Sequence, residues 1–327
     1  MESSRSDALF HDPLAAGLAG ERGLRIARTR PDGAWVVAIR TGLIDAFIRS
    51  AISSGIDTVI NLGAGMDTRP YRMDLPPSVH WVEVDHPSLI ESKSAQLSTE
   101  VPACSIERVG LDLADRDARR GLFDRIWTTS TMAMVLTEGV LGDLSVDEAG
   151  ALADDLRAQP GCESWVIDYF SPRLIRAYQK HQPHPKVPVR FDPPSWETFF
   201  TDHGWCIKEI RFLGEESERL HRPIPLSPLD KVMRLFTPRP LRDMGYEDRA
   251  DPLNGGSPVS ARLSPQPSDV AGSSAWTTIH GIAAYGITVM KSGQVESTVL
   301  AKPISPNPIR NKTIIAANRR RSVTRSS

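Results

Sequence analysis

Cysteine is scarce in this 327-residue chain, with only Cys104, Cys162 and Cys206. They are scattered and lack the paired spacing of a zinc site, which argues against a disulfide framework and points to reduced thiols. Charge of one sign is equally lacking. Lys and Arg number 39 against 40 Asp and Glu, for a formal net charge of −1. No basic surplus exists to neutralise phosphates, so neither nucleic acid nor a membrane surface is indicated as a partner. No apolar run approaches the roughly 18 residues of a membrane span. The first twelve residues mix acids and bases without a secretory apolar core, and no internal repeat is visible. The expectation is a soluble, cytoplasmic protein.

What is present is enough for a proper core, at 40% hydrophobic residues, and a sharp local pattern. A short apolar run, Val59-Ile60-Asn61-Leu62, ends in the turn Gly63-Ala64-Gly65-Met66-Asp67. About twenty residues on, Val82-Glu83-Val84 ends in Asp85, which is the layout of a nucleoside-binding half of a Rossmann-like sheet. Glycines let a ligand approach the end of the first strand, and the acid accepts hydrogen bonds from ribose hydroxyls. A dinucleotide fingerprint would add a third glycine before a helix aimed at a pyrophosphate. Asp67 stands near that helix start instead, and a carboxylate there tolerates a cationic, zwitterionic ligand such as S-adenosylmethionine better than a pyrophosphate. A nicotinamide-dependent oxidoreductase is the competing reading.

The remaining elements follow from periodicity. Residues 35–52 carry apolar positions at helical spacing, closed by Gly55. Strands are expected at 57–62, 79–85, 105–109, 132–137, 164–169 and 205–213, with a late strand near 279–290. Ser145-Val146-Asp147-Glu148 is a capping box that opens a helix to 159, stopped by Pro160-Gly161, and Ser195 caps a short helix ending at Gly204. Alternating strands and helices predict a doubly wound, mostly parallel α/β domain. Residues 1–30 read as short helical or irregular material, and 229–236 offers a weak helical pattern. A lid over the site is expected from the N-terminal helical segment (1–54) with an insertion at 171–194 and the 195–222 region. The domain is expected over 1–249, with a disordered insertion at 250–274, a sheet-completing strand within 275–291, and a disordered basic tail at 292–327.

These residues resemble the leucine carboxyl methyltransferase-like family of S-adenosylmethionine-dependent O-methyltransferases, which includes polyketide O-methyltransferases. The resemblance rests on Phe10-His11-Asp12-Pro13-Leu14-Ala15, Ile39-Arg40-Thr41-Gly42-Leu43-Ile44-Asp45, the glycine turn through Arg69 and Val82-Glu83-Val84-Asp85. It continues with Asp112-Leu113, Thr137-Glu138-Gly139-Val140-Leu141 and Phe191-Asp192-Pro193-Pro194. It implies a Rossmann-like class I methyltransferase fold, with a seven-stranded, mostly parallel sheet containing one antiparallel strand. It also implies a cofactor site. Arg40 would grip the methionine carboxylate, Gly63 and Gly65 would line the methionine portion, and Asp85 would hold the ribose. Asp112 and Leu113 would meet adenine, and Glu138 would pair with the ammonium. The chain departs from the family pattern at Gly42, where a second arginine is usual, and at Asp143, where an aromatic is frequent.

The expected activity is O-methylation of a carboxylate or hydroxyl on a small molecule, with a protein carboxyl terminus as a less favoured acceptor. A non-catalytic family member is a further alternative. Tyr169, Phe191 and Trp196 are candidate walls of the acceptor site. His181, His184, His203 and His221 are candidate bases in the wrong place, so no catalytic residue is assigned. His181 and His184 have no evident metal partner, and no metal is expected.

Overall fold

The computed structural model describes residues 2–29, 31–170, 189–222 and 285–292, all within one compact unit spanning 1–294. The expectations at 171–188, 229–236, 250–274 and 293–327, including His181 and His184, lie outside the described residues.

Seven strands form one sheet: β1 (Thr58–Leu62), β2 (His80–Asp85), β3 (Ser105–Gly110), β4 (Ala133–Thr137), β5 (Cys162–Phe170), β6 (Trp205–Phe212) and β7 (Tyr285–Ser292). Their spatial order is β3-β2-β1-β4-β5-β7-β6. The pairs from β3 through β5 are parallel, whereas β7 runs antiparallel to both β5 and β6. This is the expected seven-stranded, mostly parallel sheet with one antiparallel strand. All five residues of β1 and all five of β4 are buried, as apolar runs covered on both faces should be. The strand order reverses between β1 and β4, so their carboxyl ends open a crevice at the topological switch point.

The helices are α1 (Ala15–Thr29), α2 (Pro31–Ser53), α3 (Arg69–Arg72), α4 (Pro87–Gln96), α5 (Arg116–Ile126), α6 (Val146–Arg157), α7 (Trp196–Asp202) and α8 (Leu213–Arg219). The expected capping box is present: the Ser145 hydroxyl accepts from Glu148 N, and the Glu148 carboxylate accepts from Ser145 N. Ser195 likewise caps α7. Two helices exceed their sequence signal. In α1, Gly20 at φ 59° breaks the regular geometry and Gly17 and Gly23 weaken its propensity. In α5, the buried positions include Arg119 beside Leu122, Phe123 and Ile126, so a charged residue interrupts the apolar stripe.

Strand alternation sorts the core into two layers. Ile60, Leu62, Val82, Val84 and Trp165 pack with α5, α6 and α7 on one face. Val59, Trp81, Met134, Leu136 and Val166 pack with Ile39, Leu43, Ile44 and Ile48 of α2 and with Leu213 of α8 on the other. Side-chain period two therefore directs Asn61 and Asp168 to the α2 face, in step with Val59 and Val166.

Asp57 ties the entrance of β1 to that of β4. Its carboxylate accepts from Thr58 Oγ1 at 2.7 Å, Thr131 N at 3.0 Å and Met132 N at 3.2 Å. Burial works to raise its pKa, but the bonds from Thr58, Thr131, Met132 and Ser130 outweigh that and lower it. A carboxyl with a depressed folded pKa stabilises the fold above its unfolded value of about 3.9, and that contribution is lost as pH falls through the folded value. Asp57→Asn is therefore expected to flatten the loss of thermal stability below about pH 4. Asp57→Ala should cost about 1–3 kcal/mol at pH 7 in urea unfolding, since it leaves backbone donors unpaired.

Candidate functional site

The turn after β1 is shaped by two left-handed glycines, Gly63 at φ 70° and Gly65 at φ 47°. A Cβ on Gly63 would lie 2.3 Å from Val140 Cγ2, so only glycine fits there. The Gly63 and Ala64 amides both donate to the Val84 carbonyl, at 2.8 and 3.1 Å. Gly65 N donates to Asp85 Oδ2 at 2.8 Å, and Asp85 Oδ1 accepts from His86 N at 2.7 Å. The predicted ribose acid thus belongs to the same hydrogen-bonded frame as the glycine turn. One strand further out, Leu111 N donates to the Asp85 carbonyl at 2.8 Å, which sets Asp112 and Leu113 beside it.

Beneath the turn lies a network of charges. Arg69 is 3% exposed. Its guanidinium donates to Asp45 Oδ1 (2.8 Å), Asp67 Oδ2 (2.8 Å) and Glu138 Oε2 (2.9 Å). Glu138 Oε1 lies 2.7 Å from Arg40 Nε, and Arg40 Nη1 donates to Asp168 Oδ2 at 2.9 Å. Arg72 donates to both oxygens of Asp45, and Asp12 approaches it while accepting from Thr68 Oγ1 at 2.6 Å. Burial disfavours the Arg69 charge, but Asp67, Glu138 and Asp45 overcome this and raise its pKa well above the ordinary arginine value. Burial likewise pushes the Asp67 carboxyl up, and Arg69 more than reverses it, so its pKa is lowered. Five carboxylates (Asp12, Asp45, Asp67, Glu138, Asp168) meet three guanidiniums (Arg40, Arg69, Arg72), a surplus of two negative charges.

A cavity of about 1340 Å³ stands over this network. Arg40, Asn61, Gly63, Gly65, Asp67 and Glu138 form its polar floor, and Leu9, Phe10, Ala19, Leu24, Trp35 and Ala38 are among its apolar walls. Four predicted site residues therefore converge: Arg40, Gly63, Gly65 and Glu138. Asp85 joins them through Gly65 N, while Asp112 and Leu113 follow β3 outside the cavity lining.

Asn61 and His221 are among the residues of this chamber that sequence reasoning missed. Asn61 is 2% exposed and donates through Nδ2 to Asp67 Oδ2 at 2.8 Å, whereas its buried Oδ1 has no partner among the described residues. Its place in an apolar strand, two residues before a glycine turn, was the available signal. His221 also lines the cavity, contrary to the expectation that it lies out of reach. It follows α8 at φ 52°, where His221 N donates to Glu218 O and Arg222 N to Ser217 O, the pairing of a left-handed helix stop normally made by glycine. Arg222 then binds Glu2 and the Asp7 carbonyl, and its own carbonyl accepts from Trp35 Nε1 at 2.9 Å. These contacts lock the N-terminal segment over the site.

Two expected wall residues are core instead. Phe191 (1% exposed) and Trp196 (6%) pack edge-on with ring centroids 4.8 Å apart, and Phe191 meets Phe199 at 5.0 Å. They belong to the layer on the opposite face of the sheet, and the apolar neighbourhood of α7 explains their burial. The Tyr169 side chain lies outside the described residues. His203 is held by Asp154 at 2.6 Å between α6 and α7, far from the cavity lining. Among the described residues no cluster of metal ligands occurs, and no helix is long and apolar enough to cross a membrane.

Comparison with known proteins bears on this arrangement. The family described as leucine carboxyl methyltransferase matches residues 1–157. A Streptomyces coelicolor protein, named as a candidate S-adenosyl-L-methionine-dependent methyltransferase, is 37% identical over 120 residues, covering 33% of this chain and 42% of that protein. A similarly named Streptomyces avermitilis protein is 28% identical over 249 residues, covering 70% of this chain and 86% of the relative. The crystal structure of a DUF574 family protein from Streptomyces avermitilis superposes with a TM-score of 0.43 at 14% identity, over 89% of this chain and 98% of that one.

Gly63→Ala is expected to destabilise the protein by about 1–3 kcal/mol, because the left-handed backbone and the Val140 methyl both oppose a Cβ. His221→Gly is expected to do the reverse. Relief of left-handed strain, about 1–2 kcal/mol, exceeds the added unfolded-state entropy, about 0.4–1 kcal/mol. Thermal unfolding of the two variants checks both signs.

Proposed function

We propose that this chain, whose residues 1–157 match the leucine carboxyl methyltransferase family, is an S-adenosylmethionine-dependent O-methyltransferase acting on a carboxylate or hydroxyl of an apolar small molecule. The observation that carries this reading is the charge pattern of the cavity floor. A ligand with a carboxylate, an ammonium and a sulfonium bears two positive charges against one negative. The floor offers the guanidinium of Arg40 and the carboxylates of Asp67 and Glu138. Such a floor suits that ligand and opposes a pyrophosphate, so the nicotinamide alternative fits less well.

The residues present fit the cofactor. Arg40 is oriented in advance by Glu138 and Asp168, and its planar fork suits a carboxylate. Glu138 and the unpartnered Asn61 Oδ1 are acceptors for an ammonium. Gly63 and Gly65 leave the turn without side chains, and Asp85 supplies acceptors for ribose hydroxyls. When bound, the cofactor supplies a methyl group activated by positive sulfur, open to in-line displacement by an acceptor oxygen. The protein's part is to hold the partners near attack geometry in the cavity.

The size of the cavity and its apolar walls support a small-molecule acceptor over a protein carboxyl terminus. A carboxylate acceptor is already ionised and needs no base. For a hydroxyl acceptor, His221, which lines the cavity, is the candidate base.

Calorimetry with S-adenosylmethionine, S-adenosylhomocysteine, NAD and NADP tests the cofactor, with binding expected from the first two alone. Tight binding of either nicotinamide would overturn the reading. Asp85→Ala should weaken S-adenosylmethionine by about 1–3 kcal/mol, the range for leaving buried ligand hydroxyls unpaired. Arg40→Lys should weaken it as well, since a point charge replaces a fork, and an indifferent variant would move the carboxylate anchor elsewhere.

A further inference from the structure

The turn after β3 is held from behind by a charge cluster that none of the cofactor contacts includes. Arg119 on α5 is 3% exposed and donates through Nη1 to the Leu113 carbonyl. The same guanidinium is gripped by Asp155 of α6, itself 3% exposed, with Arg119 Nε 3.2 Å from Asp155 Oδ2 and Nη2 closer still. Asp155 also receives Arg116 at 3.2 Å and Arg120 at 2.8 Å, so its charge does not depend on Arg119 alone. Burial works against the Asp155 charge, but the three arginines more than compensate.

The consequence lies on the outer side of the turn. The Leu113 carbonyl is drawn inward, and the Leu113 N–H, on the preceding peptide, has no bonded acceptor among the described residues. Asp112 Oδ1 accepts from Ala114 N at 2.9 Å, which fixes the carboxylate's direction, and Asp115 N closes the turn on the Asp112 carbonyl. Asp115 then caps α5 by accepting from Ala118 N. The turn thus presents one fixed acceptor and one fixed donor, the complement of an amidine edge such as N6 and N1 of adenine.

We propose that Arg119, seated on Asp155, is a positioning residue for base recognition: it sets the Leu113–Ala114 peptide, whose N–H holds the Asp112 carboxylate, so that the site reads adenine and rejects hypoxanthine. This rests on the S-adenosylmethionine reading given above. Adenine donates from N6 and accepts at N1, whereas hypoxanthine accepts at O6 and donates at N1, so a rigid turn discriminates and a loose one does not.

The test is calorimetry of the full chain with S-adenosylhomocysteine and with its hypoxanthine analogue, for wild type, Arg119→Met and Arg116→Met. Wild type should prefer the adenine ligand by at least tenfold. Arg119→Met should bind that ligand about tenfold or more weakly while affinity for the analogue holds, so the preference collapses. Arg116→Met shares Asp155 without touching Leu113, and it should keep the wild-type ratio. Should Arg119→Met fail to fold, Arg119→Lys retains the charge but not the paired bonds, and its ratio should fall below that of wild type. A wild-type ratio in the folded Arg119 variant, or an equal loss for both ligands, would overturn the positioning role and leave the cofactor reading intact. A wild type that binds neither ligand would remove the cofactor reading itself and this inference with it.

Discussion

Arg69 sits almost fully buried between carboxylates from three separate parts of the chain: Asp45 in α2, Asp67 in the turn after β1, and Glu138 after β4. A guanidinium in that position is tolerable only because all three surround it, and removing one partner of such a buried pair typically costs about 3–5 kcal/mol. The pairings join the N-terminal helices to the sheet at its switch point. They also orient Glu138, and through it Arg40, before any ligand arrives. The floor of the cavity and the attachment of its roof are therefore one electrostatic unit.

That unit was only partly legible in the sequence. The strands could be read because β1 and β4 are buried on both faces and appear as unbroken apolar runs. The glycine turn and Asp85 could be read because ligand access at the end of β1 demands particular residues at a particular spacing. Arg69 and Asp45 could not. Each looks like an ordinary helix charge, and only the fold brings their partners within hydrogen-bond reach. The same holds for α5, where Arg119 pairs with Asp155 some 36 residues away and so disguises the buried stripe of its helix.

The aromatic residues show the converse. Phe191 and Trp196 stand beside the expected lid, and composition alone could not say which face of the sheet they would reach. Their edge-on packing with Phe199 and Phe200 places them in the core behind the site. His221 was passed over because nothing local marks the end of α8 as a cavity wall. Its position depends on Arg222 reaching back to Glu2 and Asp7, more than two hundred residues earlier.

The place of β7 in the sheet has a consequence for how the chain assembles. β5 and β6 are both finished by residue 212, yet the strand that belongs between them starts at Tyr285. As the chain leaves the ribosome, β5 and β6 must wait with facing edges unpaired and a gap of about 10 Å, two strand spacings, to be filled. Strands β1 to β4 pair with one another without that late segment and can form first. Until β7 is made, the slot between β5 and β6 is where a foreign strand could most readily take its place.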